Sequence, residues 1–419
     1  MKLPPSLRAL HYRNFQLYMM GQSISLIGTW MQRIAVSWLV YEMTHSAFML
    51  GLVAFASRIP MMFLSPYAGA YVDRHSRYRT LLITQFASLI QAGLLALVVL
   101  TNHYTIIIII LLGIMLGIIN SFDAPSRQSL MIVLVQNKED LPNAIALNST
   151  MVTLARLIGP AVAGILLSTV GEGICFLINF LSFIAVITTL FLMKIKIPAR
   201  KKQAEPIWQN LRQGFTYLKR NPGLKHAIIL MALMSFLIMP YITLLPVYAK
   251  SVFQGDATTF GWLNCISGLG ALMGAIFVAR LHTNTNLLKV IIGAGLLISV
   301  SLVLFSYSTY LPLSLIFLMI GESGLLTFIA STNTYLQTNV DEKMRGRVIS
   351  YYVMAFGGML PIGSLLAGSL AHLTSAPFTV LIEGFAGMIT LCLFIPAFKK
   401  TTKRAERKER MINAAPDLR

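Results

Sequence analysis

The stretch "GAYVDRHSRYR", residues 69–79, sets Asp73, Arg74, His75, Arg77 and Arg79 between two long apolar runs. Such a charged loop between segments of about 20 apolar residues marks the point where a chain leaves a bilayer and turns back into it. Working outward, similar runs recur near 15–41, 47–71, 80–101, 104–122, 144–168, 173–194, 226–249, 258–281, 287–307, 311–332, 348–372 and 377–398. Of the 419 residues, 56% are hydrophobic and only 12% charged, which excludes an ordinary soluble domain. The reading is an all-α polytopic membrane protein with twelve transmembrane helices in two six-helix bundles.

A net charge of +19 would suggest nucleic acid in a soluble chain. Here roughly 30 of the 34 Lys and Arg fall on one side of the spans, the distribution expected of cytoplasmic loops, and no nucleic-acid partner is expected. Lys250 stands alone on the other side. Both termini are therefore expected in the cytoplasm, and the first apolar run, too long for a secretory signal, is a retained helix. The basic segments serve topology, with attraction to anionic membrane lipids as a secondary use. Cys175, Cys265 and Cys392 lie within apolar runs with no CxxC spacing and read as packing residues.

The longest polar interruption divides the chain. It predicts an N-terminal six-helix bundle at 1–194, a cytoplasmic linker at 195–225, a C-terminal six-helix bundle at 226–398 and a basic cytoplasmic tail at 399–419. Within the linker, Ile207, Trp208, Leu211, Phe215 and Leu218 recur at helical spacing and predict an amphipathic helix on the inner membrane surface. The halves echo one another: Pro160 in "ARLIGPAVAGILL" and Pro361 in "GGMLPIGSLLAG" each follow a short charged loop, as in a parallel repeat.

The opening loop resembles the cytoplasmic signature of the major facilitator superfamily, Gly-x-x-x-Asp-Arg-x-x-Arg-x-Arg, through Gly69, Asp73, Arg74, Arg77 and Arg79. Gly159 and Pro160, followed by Gly164, resemble the superfamily's antiporter motif, with "AVAG" where a glycine pair is usual. "HYRNFQLYMMGQSISLIGTWMQRIAVSWLVY", "NSFDAPSRQSL" and "LPNAIALNSTMVTLARLIGP" resemble the branch that includes the enterobactin exporter and drug-efflux proteins. The resemblance implies alternating access in a bacterial inner membrane. It gives Asp73, Arg74 and Arg77 the role of a gate latch, and Asp123, Arg127 and Arg156 that of an inner-side network.

The charges inside the spans carry the chemistry. In "SLIGTWMQRIAVSWLV", residues 25–40, Arg33 shares a helical face with Gln22 and Thr29, with Trp30 one turn below. A polar stripe is unstable against lipid and is expected to face the bundle interior. Arg58, near the middle of span two and close to Pro60 and Pro66, falls at a depth comparable to that of Arg33. Two readings follow: Arg33 and Arg58 form a cationic patch for an anionic or strongly polar solute, or one of them is the counter-ion of Glu322. Glu322, near the middle of span ten, is the candidate proton-coupling group, because burial favours its neutral form and an arginine its charged form. Glu383 in span twelve reads as a packing or interfacial charge. Tyr241, Trp262 and Asn264 are candidate contacts from the second half, with Tyr335 as a further one, and Gly270 and Gly274 form a packing GxxxG.

These features predict a secondary transporter, acting as a monomer without cofactor or metal, that exports a small solute by proton antiport. An anionic siderophore or drug-like compound is the expected cargo. Import of a siderophore or its iron chelate, lysophospholipid flipping, and a receptor that transports nothing are the alternatives. Enzymatic readings lack their parts: the sequence has no HExxH, no close carboxylate pair within a span and no Gly-Lys dipeptide of a P-loop.

Overall fold

A computed structural model describes residues 5–135, 137–194, 207–282 and 285–413. At positions 5, 6, 66, 70, 73, 138, 207, 208, 210 and 401–413 it describes the backbone alone, so the side chains of Asp73 and Trp208 lie outside the described residues, as do the linker stretch 195–206 and residues 414–419.

The helices are α1 (Arg13–Thr44), α2 (Ala47–Arg74), α3 (Arg77–Leu100), α4 (Ile106–Leu134), α5 (Leu141–Thr169) and α6 (Glu172–Phe191) in the first half. The linker helix is α7 (Ile207–Arg220). The second half holds α8 (Pro222–Leu237), α9 (Tyr241–Val247), α10 (Ala257–Ala279), α11 (Leu287–Tyr307), α12 (Leu311–Asn339), α13 (Arg345–Leu373) and α14 (Ala376–Asn413).

Local chemistry sets the breaks. In the opening loop, the His75 N–H closes α2 on the Tyr71 carbonyl, and the Ser76 side chain accepts from the Arg79 N–H to start α3. Span seven is discontinuous: α8 stops before Pro240, α9 starts at Tyr241, and a π-helical turn follows at Tyr248–Val252. Proline supplies no N–H to the turn before it, which accounts for the interruption. Among the described residues, eleven segments are long and apolar enough to cross a membrane. The twelfth span is α1, whose Gln22, Gln32 and Arg33 lower its hydropathy although it packs between α5 and α6.

The first half is built around a polar seam as well as apolar packing. Asn179 donates to Gln32 at 2.6 Å, and Gln32 donates to Gln91 at 3.0 Å, joining α6, α1 and α3. Buried amide pairs of this kind satisfy groups that lipid cannot. The halves meet along α2 with α13 and α5 with α10.

The α2–α13 contact is asymmetric along its length. A Cβ on Gly51 would lie 2.5 Å from the Ser364 carbonyl oxygen, and one on Gly368 would lie 2.6 Å from that of Ala47. Midway, a Cβ on Gly358 would lie 3.4 Å from Met62 Cγ, while one on Gly69 or Gly346 would meet nothing within 4 Å. Gly51 and Gly69 are five helical turns apart on the same face, so the two helices touch at one end and diverge toward the end that bears Arg74. At the closed end, the Tyr41 and Ser251 hydroxyls are 2.7 Å apart, Lys250 Nζ donates to Glu42 at 2.9 Å, and Trp38 stacks on Phe260. Gly164 and Gly261 bring α5 and α10 into backbone contact there.

Candidate functional site: a cavity between the halves

The break in span seven places Tyr241 at the start of α9, fully buried and facing α12. Its hydroxyl donates to Glu322 Oε1 at 2.5 Å, while Arg156 Nη2 of α5 holds Glu322 Oε2 at 3.0 Å. Glu322 is 1% exposed, and Gly270 makes room for it: a Cβ there would lie 3.0 Å from that of Glu322. A carboxylate with both oxygens engaged, one by a cation, is a satisfied buried charge. The pair also bridges the halves, since Arg156 and Glu322 are 166 positions apart.

This arrangement corrects the sequence-based expectation twice. The counter-ion of Glu322 is Arg156, and not Arg33 or Arg58. Arg156 also leaves the network assigned to it with Asp123 and Arg127. Those two pair with each other, and Asp123 further accepts from Gln85 at 2.7 Å and Thr84 at 3.1 Å, all within the first half. The reason is helix order: α4 packs on α2 and α3, whereas α5 packs on α1 and α10, so consecutive helices point their arginines into different neighbourhoods.

Arg33 and Arg58 make no ion pair or hydrogen bond among the described residues. Arg33 lies within electrostatic range of Arg58 and Arg156, and its guanidinium carbon sits 4.5 Å over the Trp30 ring. The Arg156 guanidinium approaches the same ring at 5.9 Å. Arg33 is surrounded by protein yet solvent-accessible, the combination expected of a side chain lining a wet cavity. Gly159 permits this: a Cβ there would lie 2.6 Å from Trp30 Cβ, so only glycine lets α5 carry Arg156 up to α1.

The rest of the stripe on α1 is not continuous. Gln22 is 1% exposed and buried in the first half, with its Nε2 unpartnered among the described residues. The Thr29 hydroxyl donates to the Ser25 carbonyl of its own helix at 2.8 Å. Of the second-half candidates, only Tyr241 joins the charged cluster. Asn264 donates to the Phe260 carbonyl of its own helix, Tyr335 is buried, and Trp262 is 54% exposed without a ring contact among the described residues. Pro160 directs its carbonyl toward Gly261, at the α5–α10 contact. In the opening loop, Arg74 is exposed and Arg77 donates to the Ser129 carbonyl at 3.1 Å, within its own half. Glu383, read from the sequence as a packing or interfacial charge, is buried in α14.

Comparison with known proteins agrees with this architecture. The chain is 29% identical over 375 residues to the staphyloferrin A transporter of Staphylococcus aureus, covering 88% of this chain and 91% of that one. It is 22% identical over 382 residues to macrolide efflux protein A of Streptococcus pyogenes, covering 90% and 93%. Among solved structures, a mutant of the nucleoside transporter NupG superposes with a TM-score of 0.74 at 14% identity, covering 92% of this chain and all of that one. A bacterial homologue of the iron transporter ferroportin, in an inward-facing state, superposes with a TM-score of 0.72 at 17% identity, covering 92% and 98%. These likenesses show the fold. The family described as transmembrane secretion effector matches residues 6–416, and this chain belongs to that family of major facilitator transporters.

Proposed function

We propose that the chain exports a small anionic solute across a bacterial inner membrane, driven by protons. The observation that carries the reading is the pair of cations, Arg33 and Arg58, left without acids among the described residues, with Arg33 over the Trp30 ring, where the halves are closed at one end and splay toward the other. An unpaired cation at membrane depth costs about 3 kcal/mol, a cost that an anionic cargo would offset during part of the cycle. Similarity to a staphyloferrin A transporter and to efflux proteins supports a chelating or drug-like solute. With the basic loops placed in the cytoplasm, the state described here opens inward, where an exported solute would enter. Asp73, Arg74 and Arg77 would then latch the inner side when the cavity faces out, and Gly159 and Pro160 would let α5 rock against α1 and α10.

Glu322 serves as the proton-coupling group. In this state it is held by Arg156 and Tyr241; protonation would weaken the ion pair and free Arg156, which already reaches toward Trp30. That geometry favours one further reading, import. An anion that drew Arg156 away from Glu322 would make proton binding and anion binding mutually favourable, the linkage of cotransport.

The test is thermal stabilisation of the purified protein by iron-free and iron-loaded carboxylate and catecholate siderophores, cationic drugs and lysophospholipids, with proton exchange measured on binding. Stabilisation by anionic chelators that disappears in Arg33→Ala and Arg58→Ala supports the cavity, and stabilisation by cationic drugs or lysolipids alone overturns it. Proton release on binding supports export by antiport; proton uptake supports import.

A further inference from the structure

Beyond Glu322, the second half holds another carboxyl. Glu383 of α14 is 7% exposed, and neither of its oxygens has a hydrogen-bond partner among the described residues. The hydroxyl of Tyr248, a fully buried side chain on the π-helical turn, is also unpartnered among them. Both tyrosines of the broken span, Tyr241 and Tyr248, lie within electrostatic range of Glu383. Two orphaned polar side chains therefore face one region, one tyrosine away from Glu322.

Burying a bare carboxylate without a cation or donors is prohibitively costly, so such a group takes up a proton instead. Among the described residues the surroundings offer no relief. The charged or basic side chains of α8 are Lys225 and His226, of which His226 meets Phe394, about three turns along α14 from Glu383. The ionisable ones of α11 are Lys289 and the 71% exposed Tyr307. Beside Gly384 and Gly387, α11 presents Ser299 and Val303, and α8 is followed there by Ile238. From α9 and the π-turn come Tyr241 and Tyr248, and beyond Tyr241 come Glu322 and Arg156, which satisfy each other. On α13 the only ionisable side chain from residue 353 to its end is His372, which is exposed. A neutral acid with no acceptor for its own hydrogen has no packing advantage over leucine, so packing does not account for its presence.

We propose that Glu383 is a second proton-binding site, filled in the state described here and emptied when the halves rock and water reaches the Tyr241–Tyr248 side of α14. The proton goes from the Glu383 carboxyl to water, by way of the Tyr248 hydroxyl region, leaving a carboxylate that only a rearranged, wetter state tolerates. This inference rests on the reading that proton binding drives the cycle, but it does not need Glu322 to be the coupling group.

The experiment follows the opening of the basic end with spin labels at two exposed acids, Glu139→Cys and Glu342→Cys, in a Cys392→Ala background in lipid nanodiscs. A state that binds one extra proton gains population as pH falls, by at most about tenfold per pH unit. The expected result is an open fraction that rises toward low pH, becomes flat and stays high in Glu383→Gln, and still titrates in Glu322→Gln. Unchanged titration in Glu383→Gln overturns the proposal, whereas flattening in Glu322→Gln alone assigns the coupling to Glu322 and also overturns it. Should Glu383→Gln fail to fold, infrared spectroscopy of Glu322→Gln at neutral pH decides. A protonated-carboxyl band must then come from Glu383, because the buried Asp123 is paired with Arg127, and absence of the band refutes the assignment.

Discussion

Arg33 and Arg58, on α1 and α2, meet no acid among the described residues, whereas Glu322, on α12 of the other half, is clamped by both Arg156 and Tyr241. The difference teaches how to tell a structural charge from a working one. A buried ion pair whose two members satisfy each other is costly to halve, while an unpaired cation is already carrying its cost in the resting protein. The same substitution should therefore act in opposite directions on the two sides of the cavity.

The largest expected effect tests that contrast. Arg156→Leu leaves Glu322 buried with Tyr241 alone and should destabilise the protein by about 3–5 kcal/mol, with much of the loss recovered in the Arg156→Leu, Glu322→Leu double variant. Arg33→Leu, removing a cation with no acid beside it among the described residues, should leave thermal stability unchanged or raised. Melting temperatures in one detergent measure all three, and equal losses at Arg156 and Arg33 would erase the distinction.

A second, smaller effect concerns the ends of the helices. Gly368→Val pushes two methyl groups into the backbone of α2 at the closed end and should cost about 1–3 kcal/mol of that closure. Gly346→Ala, at the splayed end of the same helix, meets open space and should cost far less. Labels at the two ends would show the first variant spreading the closed end and the second leaving it intact.

The smallest effect lies outside the bilayer. Backbone N–H groups of Thr259 and Thr258 donate to Asp256, which caps α10, and hold its carboxyl below the ordinary range despite partial burial. Its contribution is thus present above the ordinary carboxylate range and is lost as pH falls through the lowered value. Asp256→Asn, which caps without titrating, should lose less stability between neutral and acid pH than the parent, by up to about 1 kcal/mol, as read from melts at both pH values.

The spans and the loop at 69–79 were legible because hydropathy and charge act along the chain. The partners of the intramembrane charges were not. Depth along a helix follows from residue number, but which neighbour a face meets depends on how the halves dock, and Arg156 and Glu322 belong to different halves. Arg33 was found as an exposed charge in a wet setting because a cation in an apolar run stands out by itself. Gln22 misled because it lies on the same helical face as Arg33 by angle yet sits about three turns away, where α6 covers the helix. Tyr241 could be singled out by the prolines around it in "IMPYITLLP", which mark a break where a side chain changes direction.

The closed end is fastened by a pair of hydroxyls, one partly exposed ion pair and one stacked pair of rings. Contacts of these kinds amount together to only a few kcal/mol. Together with the close glycine contacts of α2 with α13 and of α5 with α10, they form a hinge held by packing and a few polar links. Small substitutions in it would change how readily the end opens without touching the charged groups at Arg33, Arg58 and Glu322.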